Sequence, residues 1–165
     1  MKERDKIILE KIKYYAEQTV QFTEDAINGD EIMLVQRTNM LSLNFMTKFI
    51  SKSKKGEKLD VKDHKSLAKF AKKIELEDFS HDVKTVSACV FNLSQIGELA
   101  TRLSEDFIKE THNIPWQKIK GLRNRIVHDY EGIRLNIIWD VIKDFLPELI
   151  ENIGKLLLNG ESKDD

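Results

Sequence analysis

Four side chains able to act on a phosphodiester fall within eight residues in the stretch GLRNRIVHDY, Gly121 to Tyr130. They are Arg123, Asn124, His128 and Tyr130, an R-N-x3-H-x-Y pattern. Attack on an RNA phosphodiester by its own 2′-hydroxyl needs three things: a group to take the hydroxyl proton, a cation beside the pentavalent phosphorane, and a proton for the leaving 5′-oxygen. Histidine can do the first or the last, because its ordinary pKa of about 6.5 keeps both protonation states available near neutrality. Arginine suits the second, since its planar fork stays charged and grips two phosphate oxygens at once. Asn124 can hydrogen-bond phosphate or a base, or orient the histidine. Tyr130, placed where a helix exit would expose its hydroxyl, can stack on a base or bond a phosphate. None of these steps calls for a metal.

The same residues also read as an ordinary helix C-terminus, with Arg123, Arg125 and His128 complementing the dipole and Tyr130 packing on its neighbours. Geometry sharpens the choice. On an ideal helix, residues five apart are separated by about 140° of rotation, so Arg123 and His128 would not share a face. Either the helix loosens near Val127, ahead of the Glu131-Gly132 break, or two chains complete the site across a dimer cleft. A twofold axis through such a cleft supplies two histidines and two arginines from one motif.

The elements that must hold this stretch are all helical in pattern. Ile8, Ile12, Tyr15, Thr19, Phe22 and Ala26 recur at helical spacing and predict a helix from about Glu3 to Ile27, stopped by Asn28-Gly29. A second is expected from about Asp30, a plausible cap, to Ser51, then a charged loop to Asp60 and a short helix from about Lys62 to Ile74. Ser80, His81 and Asp82 then open the longest expected helix. Its stripe of Val83, Val86, Val90, Leu93, Ile96, Ala100, Leu103 and Phe107 keeps a spacing of three or four for about seven turns, and His112-Asn113 is expected to close the helix. Gly97 interrupts that stripe at a cost of about 1 kcal/mol relative to alanine, which predicts another helix crossing closely there. Glu98 and Arg102, four apart, read as a surface pair. Pro115 suits the start of the signature helix, expected to reach about Val127. The last helix is expected from about Leu135 to Leu158, kinked at Pro147, whose ring displaces the bond to Lys143. Residues 161–165 read as a frayed tail.

At 165 residues the chain is expected to be a single domain over residues 1–160, all-α, with about 70% of its unfolded surface buried. No apolar run reaches the length of a membrane span and the first 15 residues are too charged for a secretory signal, so a soluble, cytoplasmic protein is expected. The lone Cys89 falls on an apolar helix face and reads as a buried small hydrophobe. His64, His81, His112 and His128 are scattered without ligand spacing, so neither a metal nor a cofactor is expected. From Lys48 to Lys73 there are ten lysines against Glu57, Asp60 and Asp63, a balance of +7 in a chain of net charge −1, which leaves −8 elsewhere. One basic surface on an acidic body is compatible with attraction to a polyanion, and equally with a solvated linker.

The signature does not stand alone. IPWQKIKGLRNRIVHDYEGI, the following LNIIWDVIKDFLPEL and the earlier NLSQIGELATRLSE together resemble the HepT-like toxins of the HEPN superfamily, whose pattern is R-x4-H-x-Y. The resemblance covers roughly Val83 to Ile153, plus a first helix. It implies an up-and-down HEPN-type bundle of five to six helices and a metal-independent ribonuclease toxin, with Arg123 and His128 catalytic and Asn124 and Tyr130 supporting RNA binding. It further implies an MntA-type nucleotidyltransferase antitoxin that silences the toxin by adenylylating Tyr130, and the angle between Arg123 and His128 adds the expectation of a homodimer with the site at the cleft. The chain departs from the family in three places. Phe91 and Ser94 replace an arginine and a glutamate of the usual RNLEIIGEA, while Asn92, Gly97 and Glu98 are kept. Arg134 stands where an acidic residue normally caps the last helix, and the lysine-rich part of 48–73 looks inserted. The alternative is a non-catalytic HEPN-like module that binds RNA or the nucleotidyltransferase.

Overall fold

The computed structural model describes residues 1–28, 69, 72–73, 75–128 and 134–161; the side chains of Asn28, Arg125, Val127, His128 and Glu161 fall outside that description. The helix expected over Asp30 to Ser51, the charged loop after it, nearly all of the helix over Lys62 to Ile74, Tyr130 and the Glu131-Gly132 break lie outside the described residues. Among those described, every regular element is helical and none is a strand, so the fold is all-α. Contacts divide the chain into two compact units, Met1–Glu24 with Val83–Asp165, and Asp25–Asp82.

In the second unit, residues 75–81 are helical. The Ser80 hydroxyl donates to the Glu77 carbonyl at 2.7 Å, and His81 Nδ1 lies 2.7 Å from the same oxygen. These two side chains therefore close a helix rather than open the next one, against expectation. Both reach a carbonyl one turn back, the local bonding that places such residues at helix ends.

The first unit is built from α1 (Glu3–Asn28, whose last turn passes into the other unit), α2 (Val83–Thr101), α3 (Glu105–Glu110), α4 (Trp116–His128), α5 (Leu135–Asp140) and α6 (Leu146–Glu161). Helix α1 runs antiparallel to α2: Cys89 Sγ sits 3.9 Å from the Thr19 carbonyl at one end, and Asp5 bonds Ser104 at the other. Its buried stripe is Asp5, Ile8, Leu9, Ile12, Ala16, Thr19 and Thr23. The two threonines remain satisfied there because their hydroxyls donate to the Tyr15 and Val20 carbonyls, each at 2.7 Å. Cys89 is buried, as its position on the apolar face implies. Val83, expected in the core, is 71% exposed as the first residue of α2.

The helix expected to run unbroken to His112-Asn113 ends instead at Thr101. A new start at Ser104 interrupts it, with the Ser104 side chain accepting from the Phe107 N–H and Glu105 and Asp106 filling the first turn of α3. The break is fixed from outside by Asp5, a carboxylate only 1% exposed, which accepts from the Ser104 N–H at 2.9 Å and from its hydroxyl at 2.7 Å. Leu103 and Phe107 stay buried on either side of the break. Apolar spacing alone therefore could not reveal it.

A second tether sets the start of α4. The Trp116 indole N–H donates to Thr111 Oγ1 at 2.9 Å, and the Thr111 hydroxyl donates to the Phe107 carbonyl at 2.7 Å. With Trp116 2% exposed and stacked obliquely on Phe107, α4 begins from a rigid platform. The Pro115 carbonyl accepts from the Lys118 N–H at 2.9 Å and the Ile119 N–H at 3.2 Å.

Where a kink at Pro147 is expected, the ladder widens one turn earlier. Residues Val141–Phe145 form a π-helical turn, closed by the Leu146 N–H on the Val141 carbonyl five residues back. Proline has no N–H to offer Lys143 and its ring crowds that carbonyl, so an extra residue in the preceding turn lets the helix continue. Arg134 occupies the cap of α5 and makes no side-chain capping bond. Ile138, Trp139, Ile142, Leu146, Leu149 and Ile153 form the buried face of this final segment.

Candidate active site

Helix α4 crosses α2 at Gly97, the close crossing that the mid-helix glycine predicts. A Cβ built on Gly97 would lie 2.3 Å from Arg123 Cβ, 3.1 Å from the Ile119 carbonyl oxygen and 3.2 Å from Arg123 Cα. Two of those three neighbours belong to Arg123, so the glycine does more than relieve crowding. It sets how deeply the arginine's backbone sits against α2.

The next residue of α2 then holds the arginine's head. Glu98 Oε2 lies 3.5 Å from Arg123 Nε, and Glu98 Oε1 accepts from Arg102 Nη2 at 3.1 Å. One carboxylate thus serves two guanidinium groups. From the other side, Arg123 Nη1 donates to Asn124 Oδ1 at 3.1 Å. The Arg123 side chain remains 35% exposed, restrained at two nitrogens yet open to solvent. An exposed pair of this kind contributes little to stability. Its effect is positional, narrowing the orientations of a cation that would otherwise sweep a wide arc.

Of the residues singled out in the sequence, Arg123 and Asn124 are brought together directly, the Asn124 side-chain oxygen accepting from the arginine. The backbone of α4 stays helical through His128, so the loosening near Val127, one of two ways to bring Arg123 and His128 onto a common site, does not occur. On a regular helix, positions five apart are separated by about 140° of rotation. The His128 side chain and all of Tyr130 lie outside the described residues. Sequence reasoning missed Glu98, taken only as the surface partner of Arg102. The available signal was the Gly97-Glu98 pair, in which a residue that permits a close crossing is followed by one that can bond whatever crosses. Among the described residues no three His, Cys, Asp or Glu side chains converge as metal ligands would.

The sequence pattern of the ribonuclease HepT-like family matches residues 62–156, more than half of the chain. The chain belongs to the ribonuclease HepT-like family. Among similar proteins, one from Methanocaldococcus jannaschii named as a candidate RNase is 33% identical over 101 residues, 61% of this chain and 84% of that one. Another from Caldanaerobacter subterraneus subsp. tengcongensis, also named as a candidate RNase, is 35% identical over 86 residues, 52% of this chain and 77% of its own. A Thermococcus cleftensis protein named as a candidate HepT ribonuclease is 31% identical over 90 residues, 54% of this chain and 82% of its own. No solved structure matches. The HepT-like match spans α2, α4 and the whole Gly97–Glu98–Arg123 arrangement.

Proposed function

We propose that this HepT-like chain is a metal-independent endoribonuclease and the toxin of a toxin–antitoxin pair, acting in the cytoplasm. Arg123 binds the scissile phosphate and stabilises the phosphorane, and His128 transfers the protons. The 2′-oxygen forms a bond to phosphorus as its proton passes to one imidazole, and the bond from phosphorus to the 5′-oxygen breaks as that oxygen takes a proton from another. Two imidazoles are supplied by a homodimer with the site at its cleft, a reading favoured by a helix that stays regular through His128. The observation that carries the proposal is the guanidinium of Arg123, fixed by Glu98 and Asn124 while still exposed. A cation oriented before substrate arrives lowers the reorganisation needed in the transition state. Tyr130, two residues beyond His128, is the hydroxyl an MntA-type nucleotidyltransferase would adenylylate; the added phosphate would compete with RNA for Arg123.

The test is RNA cleavage by the purified protein in EDTA beside a folded His128→Ala control. Cleavage by the wild type alone is expected. If neither cleaves a broad RNA panel, with Tyr130 verified unmodified, the catalytic reading fails and a non-catalytic module binding RNA or the nucleotidyltransferase takes its place.

A further inference from the structure

A groove of about 530 Å³ lies between α1 and α2, lined by Glu10, Lys11, Tyr14, Tyr15, Gln95 and Arg102, with Leu99 at its base. Tyr14 is 58% exposed and meets Tyr15 edge-on, ring centroids 5.6 Å apart and planes at 68°. An exposed aromatic face held by a second ring is a surface on which a planar group can stack at small entropic cost. Arg102 joins the groove to the candidate active site, because the same guanidinium that lines it is bonded to Glu98, which also holds Arg123. Two cations on one carboxylate are close enough to engage successive phosphates of one strand.

Resting on the ribonuclease reading, we infer that this groove is a subsite for an unpaired nucleotide flanking the scissile phosphate of a single RNA strand. The base stacks on Tyr14, Gln95 bonds its edge, and Arg102 meets the adjoining phosphate. The antiparallel register of the two helices gives the ligand a direction. It places Tyr14 and Gln95 toward one end of the groove and Arg102 toward the other, with the opposite charges of Glu10 and Lys11 between them, so base and phosphate meet different ends. The volume lies within the range of small-molecule sites, and the mix of stacking face, amide and cation is that of single-strand readers rather than duplex binders.

The test uses the full-length protein and fluorescent 2′-O-methyl RNA oligomers, which lack the nucleophile and stay intact, beside abasic oligomers of equal length. Wild type is expected to bind the base-bearing strand about tenfold more tightly than the abasic one, within what one base–aromatic stack contributes. Tyr14→Ala, at an exposed position, should erase most of that difference, and raise KM for cleavage of ordinary RNA more than it lowers kcat. Unchanged affinity and KM in folded Tyr14→Ala, while wild type still cleaves RNA, would overturn the subsite and leave the nuclease standing. Failure of wild type to bind or cleave any RNA would remove both.

Discussion

Arg123 is held by contacts that act at different depths. Gly97 admits its backbone, Glu98 restrains Nε, and Asn124 restrains Nη1. The depth contact is the least forgiving, because two of the three atoms a Cβ would meet are main-chain atoms of α4. Alanine is favoured over glycine by about 1 kcal/mol inside a helix, but here the clash decides the sign. Overpacking of this kind costs about 1–3 kcal/mol. Gly97→Ala is therefore expected to lower the urea midpoint and, by displacing Arg123, to reduce RNA cleavage further than the stability loss accounts for. A stabilised, fully active Gly97→Ala protein would contradict the crossing geometry. The crossing itself was legible from one glycine in an apolar stripe. Its consequence for Arg123 was not, because sequence shows that something crosses at Gly97 without showing which residue of the partner arrives there.

Between elements, hydrogen bonds decided what periodicity could not. The stripe from Val86 to Phe107 is continuous in sequence, yet the helix stops at Thr101 because Ser104 bonds both the Phe107 N–H and a buried Asp5 some hundred residues away. A serine followed by two acids was the local sign of a cap; its long-range partner lay in α1, where an aspartate near a helix start reads as solvated. Asp5→Ala leaves the Ser104 N–H and hydroxyl without their acceptor, and a loss of about 1–3 kcal/mol in denaturant-measured stability is expected. The neighbouring carboxylate behaves differently. The ammonium of Lys2 holds the Asp106 carboxyl below the usual carboxylate range by hydrogen bond and charge. A lowered pKa adds stability above that range and loses it as pH falls through it. At this fully exposed site solvent and salt reduce the effect, so 0.5 M salt is expected to matter less for Asp5→Ala than for the Lys2–Asp106 pair. The first helix, the signature helix and the final one were placed within a residue or a few from apolar spacing and Pro or Gly stops. The end of the second and the start of the third were not, since a cap can lie under an unbroken stripe.

At the scale of the whole molecule, Arg123 and His128 stand five apart in α4, positions that a regular helix separates by about 140°. If the cleft needs an imidazole from each protomer, a heterodimer of wild type with His128→Ala holds one and should be nearly inactive, so wild type mixed with excess His128→Ala and allowed to exchange should cleave RNA well below the wild-type share. Activity that stays at the wild-type share in a mixture shown to exchange subunits would overturn the two-imidazole cleft. The all-helical class was plain from two prolines, seven glycines and long helical periods. An assembly leaves no such trace in one chain's composition, and only the awkward angle between two residues of one motif hinted at it.

The π turn before Pro147 bears on timing along the last helix. From Ile138 to Ile153 the buried positions are spaced four, four, three and four, fifteen residues that at 100° each overshoot four full turns by about 60°. A plain α-helix would carry its apolar stripe out of phase with the core before reaching Ile153. The wider turn at Val141–Phe145 advances fewer degrees per residue and takes back much of that overshoot. It works as an intercalated beat that brings two halves of a long phrase back into step. A chain shortened by one residue there would close the turn to an ordinary one, fourteen steps falling about 40° short of four turns, so Leu149 and Ile153 would still face the core while the slack that accommodates Pro147 is lost.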